Sequence, residues 1–316
     1  MQNLQKINIV PYGRDQARSW DAFVSGAKNG HFFFQRGYLE YHSQRFEDAS
    51  LVVLSRNRIV AVLPANVCEG TVFSHQGLTY GGFVVNHTMT GSLMIAVFEV
   101  ALDHLRRQGI HRVVYKAMPH IYHREPSQED LYALHRLGAR MIRRDLSSAL
   151  ELGGPVCYSK GKRYNLIKAR KRNLTVTRSY EFRDFMLLLE EVMDARHDLR
   201  PAHNATEIEL LAKRFPENIH LYCTYGIGKL LAGALVFVNP TIVHTQYLAN
   251  SPAGREFGAL DFLLDILIRE AFSGRRYLSF GISTEHEGER LNEGLLHSKE
   301  AFGARGIVHD TYEISL

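Results

Sequence analysis

The chain has 316 residues, which fits two domains of about 150 residues each. Hydrophobic residues make up 45% and charged residues 22% of the chain, an ordinary soluble composition with enough apolar content for two cores. The net charge of +5 favours an anionic ligand, such as a nucleotide, coenzyme A or RNA, but is too small an excess to indicate bulk nucleic-acid binding.

The cysteines and the apolar runs indicate the cellular compartment. Cys68, Cys157 and Cys223 are scattered and odd in number, so they form neither a disulfide framework nor a metal site and predict a reducing environment. Residues 1–6 lack the charged-then-apolar pattern of a signal peptide. No apolar run approaches the roughly 20 residues that span a bilayer. We therefore expect a cytoplasmic protein without a membrane span.

The first half of the chain alternates helical and strand patterns, as a mixed α/β domain does. Apolar spacing predicts a helix over 15–28, and residues 31–35 are expected to lead into a second helical stretch that ends near Phe46. Two β-rich runs on either side of 55–58 predict a hairpin. The other elements predicted here are a strand from Val72, a glycine-rich loop at 77–82, a helix over 92–108 ended by Gly109, a strand at 113–115, a helix near 128–137 and a strand near 140–147.

The second half follows a similar order of elements. A basic helix runs through Lys160–Arg172, and a loop over 249–257 is expected before a helix over 258–272. Gly153-Gly154-Pro155 is the expected seam, which gives domains over 1–153 and 154–316. The other predicted elements are strands at 175–177, 241–248 and 277–282, a hairpin at 220–238, helices at 181–194, 205–214 and 291–301, and a last strand at 306–314.

The second half also repeats short sequences of the first. Residues 137–140 read Leu-Gly-Ala-Arg, and residues 302–305 read Phe-Gly-Ala-Arg, 165 positions later. The same spacing relates Asp145 to Asp310. This period is too long for a solenoid repeat and is about the size of one domain. The sequence therefore predicts two diverged copies of one α/β domain, with a ligand site in the groove between them.

The order of elements resembles the GNAT (acyl-CoA N-acyltransferase) fold. In that fold a strand is followed by a loop and a helix N-terminus that bind the pyrophosphate of coenzyme A. The matching segment, 255–259, fits the family pattern at Arg255 and Gly258, but Leu260 stands where Gly or Ala is expected. An ordinary helix N-terminus is the alternative. The resemblance implies an acyl-CoA site formed by Gln246, Tyr247, Arg255 and Gly258.

A second resemblance lies near the C-terminus. Residues 294–303 are similar to the Gly-Leu-x-x-Phe-Lys-x-x-Phe-Gly segment of FemABX-like transferases, tandem GNAT enzymes that join acyl or aminoacyl groups to amines. Lys299, Phe302 and Gly303 match this segment, whereas Ser298 replaces its first Phe. The chain is identified as a member of this branch, some members of which are associated with envelope polysaccharides. The expected fold class is α/β, with two tandem GNAT-like domains and a central groove.

The resemblance implies roles for several polar residues. Lys299 is expected to stabilise the oxyanion of acyl transfer, and the alternative is a helix lysine paired with Glu300. His75 and Glu285 are the candidate general bases, with a structural histidine and a solvated glutamate as the alternatives. The residues expected to bind the acceptor are Gln76, Tyr80, Gly81 and Ser283.

Together, these features predict an acyltransferase that moves an acyl group, an acetyl group in the first instance, from acyl-CoA to an amine. The resemblance implies an amino sugar as the acceptor, nucleotide-linked and used for cell-envelope polysaccharide. Two alternatives stay open: an aminoacyl-tRNA-dependent aminoacyltransferase and a non-catalytic GNAT-fold binding protein. No metal is expected, because the His-x-x-His spacing of His120 and His123 lacks a Glu or Cys partner.

Overall fold

The structure is a computed structural model that describes residues 7–197, 200–226 and 228–316. The expectation about residues 1–6 lies outside the described residues. The chain divides into two compact units. The first contains the chain up to Asp145, with His286–Glu289 and Val308–Leu316, and the second contains Leu146–Glu285 and Arg290–Ile307. The boundary at residue 153 stays a prediction. None of the described helices is long and apolar enough to cross a bilayer.

The first unit is a mixed α/β unit. Its helices are α1 (Ala17–Gly26), α2 (Arg36–Leu39), α3 (Gly91–Arg107) and α4 (Glu129–Arg136). Its strands are β1 (Ile7–Pro11), β2 (Glu47–Asp48), β3 (Leu51–Ser55), β4 (Arg58–Leu63), β5 (Asn66–Cys68), β6 (Thr71–Phe73), β7 (Val84–Val85) and β8 (Arg112–Lys116), with parts of β9 (Arg140–Glu151) and β17 (Arg305–Ser315). The strands lie in the orders β1-β3-β4-β7 and β17-β8-β6-β5-β2.

The predicted hairpin is confirmed as the antiparallel pair β3–β4. Its turn residues Arg56 and Asn57 have φ values of 50° and 61°, the left-handed backbone that a two-residue hairpin turn requires. The predicted helix over 92–108 is confirmed as α3. Thr90 accepts a hydrogen bond from the Leu93 N–H at its start, and Gly109 follows its end with a φ of 79°.

The prediction that the second helical stretch extends to about Phe46 is wrong. Residues 32–34 form a short 3₁₀ turn, and α2 begins at Arg36 but ends at Leu39. Two side chains of α1 bind the backbone at this point: the Trp20 indole donates to the Phe34 carbonyl at 2.6 Å, and Asp21 accepts the Arg36 N–H at 2.7 Å. These hydrogen bonds fix the backbone where α2 starts, and turns follow Leu39 as far as Arg45.

The second unit also mixes helices and strands. Its helices are α5 (Lys160–Lys171), α6 (Phe182–His197), α7 (Ala205–Arg214), α8 (Pro252–Phe257), α9 (Ala259–Ile266) and α10 (Glu293–Glu300). Its own strands are β10 (Thr175–Ser179), β11 (Ile219–Gly226), β12 (Lys229–Val238), β13 (Ile242–Asn250), β14 (Tyr277–Ile282), β15 (Thr284–Glu285) and β16 (Arg290–Leu291). The main sheet runs β10-β11-β12-β13-β14-β9, and β13 and β14 pair in parallel.

The expected loop over 249–257 is largely helical, which corrects the sequence-based assignment. Ser251 caps α8 by accepting the Gly254 N–H, and Pro252 occupies the first helical position. Gly258 has a φ of 77° and separates α8 from α9. A serine followed by proline is a helix-start signal, but the helix has only six residues and shows no apolar period of its own.

The repeated tetrapeptides form the same structural corner. Gly138 and Gly303 have φ values of 71° and 89°, and each lies between a helix and a long strand. The strand after Gly138 is β9, whose last residues pair with β14 in the second unit. The strand after Gly303 is β17, whose last residues pair with β8 in the first unit. The strand after the first corner, β9, therefore ends in the sheet of the second unit, and the strand after the second corner, β17, ends in the sheet of the first unit.

Candidate functional site

A cavity of about 410 Å³ lies in the second unit, next to β13 and β14. The parallel pairing of these strands covers Ile242–His244 and Tyr277–Ser279, after which β13 continues to Asn250. Beyond the paired region, Leu248 and Phe280 line the cavity. Helices contribute most of the other lining residues: Lys162, Asn165, Val192, Arg255, Gly258, Leu260, Asp261, Leu264, Leu295, Ser298, Lys299 and Phe302.

Lys299 is a buried cation in the lining of this cavity, with 6% of its surface exposed. Its Nζ donates to three neutral oxygens: the carbonyls of Gly281 (2.8 Å) and Ile282 (2.6 Å) and the Ser283 hydroxyl (2.8 Å). No described carboxylate pairs with it, so the alternative of an ion pair with Glu300 is not seen. Burial lowers the pKa of Lys299 to about 8, which leaves it mostly charged at neutral pH.

Residues 281–283 provide the hydrogen-bond acceptors that hold the ammonium group of Lys299. Gly281 has a φ of 74°, and the pairing of β14 with β9 shifts register between Ser279 and Ile282. Ser283 is fixed by its N–H, which donates to the Leu146 carbonyl at 2.7 Å. This irregular turn presents consecutive oxygens to one ammonium group, so the lysine and the turn hold each other in place.

A second cation of the cavity is neutralised. Lys162 donates to Asp261 at 2.7 Å, and its Nζ lies 4.2 Å from the ring centroid of Phe302. The other Asp261 oxygen accepts from the Asn165 side chain at 2.7 Å. Asp261 balances the charge of Lys162. Among the described residues that line the cavity, Lys299 is therefore a buried cation without a carboxylate partner.

Sequence reasoning missed the contact between α5 and α9. In the sequence, Lys162 is one member of a basic run, and nothing in that run indicates Asp261 as its partner. The usable signal is Asp261 in the first turn of a helix, where a carboxylate complements the helix dipole.

The residues expected to bind the coenzyme A phosphates lie at the edge of the same cavity. Arg255 is exposed and lines it. Gly258 also lines it, but a Cβ at this position would come within 2.6 Å of the Asn165 carbonyl oxygen. The first turn of α9 already contains the Asp261 carboxylate. Gly258 therefore has a packing role against α5, and its role in binding a cofactor stays a prediction.

Gln246 and Tyr247 both lie on β13 and are partly buried, but neither is among the residues that line the cavity. The Tyr247 hydroxyl accepts the His203 N–H at 3.2 Å and lies 2.7 Å from the Nδ1 of that histidine. Burial raises the pKa of Tyr247 above its ordinary value. Its hydroxyl is thus engaged with the segment before α7.

His75 and Gln76 belong to the loop after β6 in the first unit. His75 has a φ of 71°, and burial, together with the neighbouring His42, lowers its pKa to about 3. Lys116 ties the loop to β8 by donating to the carbonyls of His75, Gln76 and Leu78. His75 is therefore neutral at physiological pH and a weak base, whereas Gln76 is exposed.

Tyr80 and Gly81 of the same loop have structural contacts. Tyr80 is 2% exposed, and its hydroxyl lies 2.9 Å from His31 Nε2. A Cβ on Gly81 would fall 1.9 Å from the Ser74 carbonyl oxygen, so only glycine fits here without movement of the backbone. Their assignment to acceptor binding stays a prediction.

Glu285 and Ser283 lie close together in sequence but differ in setting. Glu285 is exposed on β15, where its Oε1 accepts from the Asn292 side chain at 2.7 Å. Ser283 is buried and holds Lys299. The structure thus brings Ser283 and Lys299 into one cluster, with Glu285 two residues along the chain.

Residues 160–287 match the family model described as an acetyltransferase (GNAT) domain. This segment is a GNAT acetyltransferase domain. It runs from α5 through β15 and contains β13, β14 and most of the residues that line the cavity. The match to a GNAT domain supports the sequence-based prediction of an acyltransferase.

Solved structures show that the whole chain has the fold of tandem GNAT proteins. FemX has a TM-score of 0.71 at 13% identity over 98% of this chain and 97% of its own. The C-terminal domain of an Agrobacterium fabrum protein described as a lysylphosphatidylglycerol synthetase has a TM-score of 0.60 at 12% identity, over 95% and 91%. A tandem GNAT protein of the clavulanic acid biosynthesis pathway has a TM-score of 0.52 at 13% identity, over 98% of both chains. A comparison with curated proteins gives no match.

Proposed function

We propose that this chain transfers an acyl group to an amine in the cavity beside Lys299. The supporting observation is a buried lysine with three neutral hydrogen-bond partners that lines a cavity formed largely by a GNAT domain. Acyl transfer to an amine passes through an oxyanion, which an uncompensated cation in a water-poor site stabilises strongly.

The reaction proceeds by direct attack within a ternary complex. The amine nitrogen forms a bond to the acyl carbon, the carbonyl oxygen takes up negative charge beside Lys299, and collapse breaks the bond to the carrier. The amine loses one proton, and the departing thiolate or alkoxide gains one. Glu285 is the proposed acceptor of the amine proton. His75 is the weaker candidate, because its pKa is about 3.

The first donor we propose is acyl-CoA, with an acetyl group as the first to test. Arg255 supports this choice, because it is an exposed cation on the edge of the cavity and no described carboxylate pairs with it. Gln246, Tyr247 and Gly258 complete the proposed donor site. The proposed acceptor, taken from the family resemblance, is a nucleotide-linked amino sugar for envelope polysaccharide, met in the cytoplasm.

An aminoacyl-tRNA donor is the second candidate. The Asp261 carboxylate lies in the first turn of α9, next to the helix N-terminus at which coenzyme A phosphates would bind, and its negative charge favours a donor anchored elsewhere. Helix α5 carries exposed cations that suit a polyanion: Lys160, Arg163, Arg170 and Lys171. One structural neighbour is named for lysylphosphatidylglycerol, the product of an aminoacyl transfer.

Titration with acetyl-CoA and free coenzyme A tests the donor. We expect saturable thermal stabilisation of the wild-type protein, because a ligand that binds only the folded state raises its melting temperature. Arg255→Glu is expected to abolish the shift. Lys171→Glu, which reverses an exposed charge outside the cavity lining, is expected to keep it.

A protein that shows no stabilisation by either compound up to millimolar concentration contradicts the acyl-CoA donor. Binding of aminoacyl-tRNA is then measured at several salt concentrations, because phosphate contacts make affinity fall steeply with salt. Turnover with aminoacyl-tRNA but not with acetyl-CoA supports the second candidate.

The activity is expected to fall as pH rises through about 8. Lys299 has its pKa lowered to about 8 by burial, so it loses its charge above that pH, and with it the stabilisation of the oxyanion. The test is kcat/KM against pH with a fixed acceptor. Lys299→Arg should move the fall to higher pH. Lys116→Arg is the matched control, because burial also lowers the pKa of Lys116 to about 8. If the fall of kcat/KM at high pH moves in this variant and not in Lys299→Arg, the assignment to Lys299 is wrong.

A further inference from the structure

A second cavity of the second unit, separate from the cavity beside Lys299, has a charged lining. It measures about 580 Å³ and is bordered by α5, α9 and the segment before α5. Arg163, Arg170 and Arg269 line it together with Asp265. Among the described residues of this lining, three guanidinium groups and one carboxylate leave an excess of two positive charges. Such an excess favours a doubly negative ligand.

Asp265 orients two of the arginines. Its side chain is only 2% exposed, and its Oδ1 accepts from Arg269 Nε at 2.7 Å and from the Tyr158 hydroxyl at 2.9 Å. Its Oδ2 accepts from Arg170 at 3.2 Å. Each arginine spends one N–H group on Asp265 and keeps its remaining donors for another partner. The buried carboxylate therefore acts as a support that fixes two guanidiniums at the cavity.

The helix geometry at Arg269 is unusual. Residues 267–271 form a π-helical turn, in which the Phe272 N–H donates to the Leu267 carbonyl five residues earlier. Single π-helical turns inside α-helices occur frequently at functional sites, because they change the direction of a side chain at some cost in stability. The turn here carries Arg269, whose guanidinium also lies 5.0 Å from the Tyr158 ring centroid.

The rest of the lining is apolar. Val156, Leu166 and Ile167 border the cavity, and Ile167 is 53% exposed. A ligand with a compact dianion and an apolar or ring-shaped remainder matches this division between charged and apolar walls. Arginine is well suited to phosphate, because its planar fork donates two parallel hydrogen bonds.

We propose that this cavity binds a phosphate monoester, with the phosphate held by Arg163, Arg170 and Arg269 and the organic part against Leu166 and Ile167. The proposal stands apart from the acyl-transfer cavity, which contains Lys299 and Asp261 instead. The phosphate belongs either to a separate small molecule or to a phosphorylated carrier such as coenzyme A.

Cys157 provides a readout that does not depend on activity. It is an exposed free thiol in the cavity lining, and Cys68 is an exposed free thiol in the first unit. We expect phenyl phosphate to slow alkylation of Cys157 by iodoacetamide in a saturable way and to leave Cys68 unchanged. Benzoate, a single negative charge of similar size, is expected to protect much less.

Substitutions test the arginines. Arg163→Gln leaves the Asp265 contacts intact and is expected to weaken phenyl phosphate binding about tenfold or more. Lys171→Gln, on the same helix but outside the lining, is expected to change it less than about twofold. Arg269→Gln is a second test of the same kind.

Equal effects of the arginine and lysine variants on phenyl phosphate binding overturn the proposal. An absence of protection of Cys157 up to about 10 mM phenyl phosphate also overturns it, because even a site with millimolar affinity is nearly saturated at that concentration. Coenzyme A and dephospho-coenzyme A distinguish the two sources of phosphate. If only the form with the phosphate monoester protects Cys157, the cavity receives part of a carrier. If phenyl phosphate protects and neither coenzyme does, it binds a separate molecule.

Discussion

Replacing Lys299 by methionine is expected to lower kcat by about 10²–10³-fold, the loss seen when one stabiliser of an oxyanion is removed. Methionine keeps most of the volume of the lysine side chain but removes its charge. The change also leaves the Gly281 and Ile282 carbonyls without their donor, which costs about 1–3 kcal/mol each if no water replaces it. Steady-state kinetics with matched folded fractions, checked by circular dichroism, measure the effect.

The split between kcat and KM distinguishes catalysis from support. If Lys299 only holds the turn at 281–283, Lys299→Met lowers stability while kcat per folded molecule stays near that of the wild type, and our assignment is wrong. If Lys299 acts on the oxyanion, kcat falls and the affinity for the donor stays. Retained ligand affinity with full loss of turnover also argues against the non-catalytic alternative. Lys213→Met is the control for charge, because it removes an exposed lysine outside the cavity.

Gly258→Ala is expected to destabilise the protein by about 2–6 kcal/mol. Two costs combine here: a φ of 77° for a residue with a side chain, about 1–3 kcal/mol, and crowding by a Cβ that would lie 2.6 Å from the Asn165 carbonyl, about 1–3 kcal/mol. The crowding falls on backbone, which cannot rotate away as a flexible side chain does. Urea unfolding measures the loss.

Two other glycines separate the costs. Gly153 has a φ of 84° with open space around it, so Gly153→Ala reports the backbone cost alone. Gly274 has open space and no positive φ, and Gly274→Ala should be nearly neutral. If Gly258→Ala is no worse than Gly153→Ala, contact with α5 is not what requires glycine there. A selective loss of donor affinity at unchanged stability would instead support a binding role for Gly258.

Local signals predict much of the fold. The corner at Leu137–Arg140 and its repeat at Phe302–Arg305 are predictable because a left-handed glycine ends a helix through interactions within a few residues. The helix predicted over 205–214 has the same bounds as α7, where Asn204 and Glu207 form a capping box. Boundaries that depend on such local hydrogen bonds are encoded in the adjacent sequence.

Features fixed by distant partners are not predictable in this way. The family resemblance indicates Lys299. The oxygens that hold its ammonium group, however, are positioned by the pairing of β14 with β9, a strand distant in the sequence. His75 lies in a loop whose sequence does not reveal that His42 and Phe46, which follow α2, pack against its imidazole. Arg170 belongs to a basic run that suggests a solvated helix face, yet it reaches Asp265, 95 positions along the chain.

The pairing of β17 with β8 affects how the first unit folds while the chain is being synthesised. The strand β8 emerges from the ribosome before its partner β17, which is made only after the segment that forms most of the second unit. The first unit therefore cannot complete its sheet before β17 has been made, and until then one edge of β8 presents unpaired backbone groups. Two separately expressed halves cut at the Gly153-Gly154 seam would each lack a native strand end, and they are expected to fold only when they are made together.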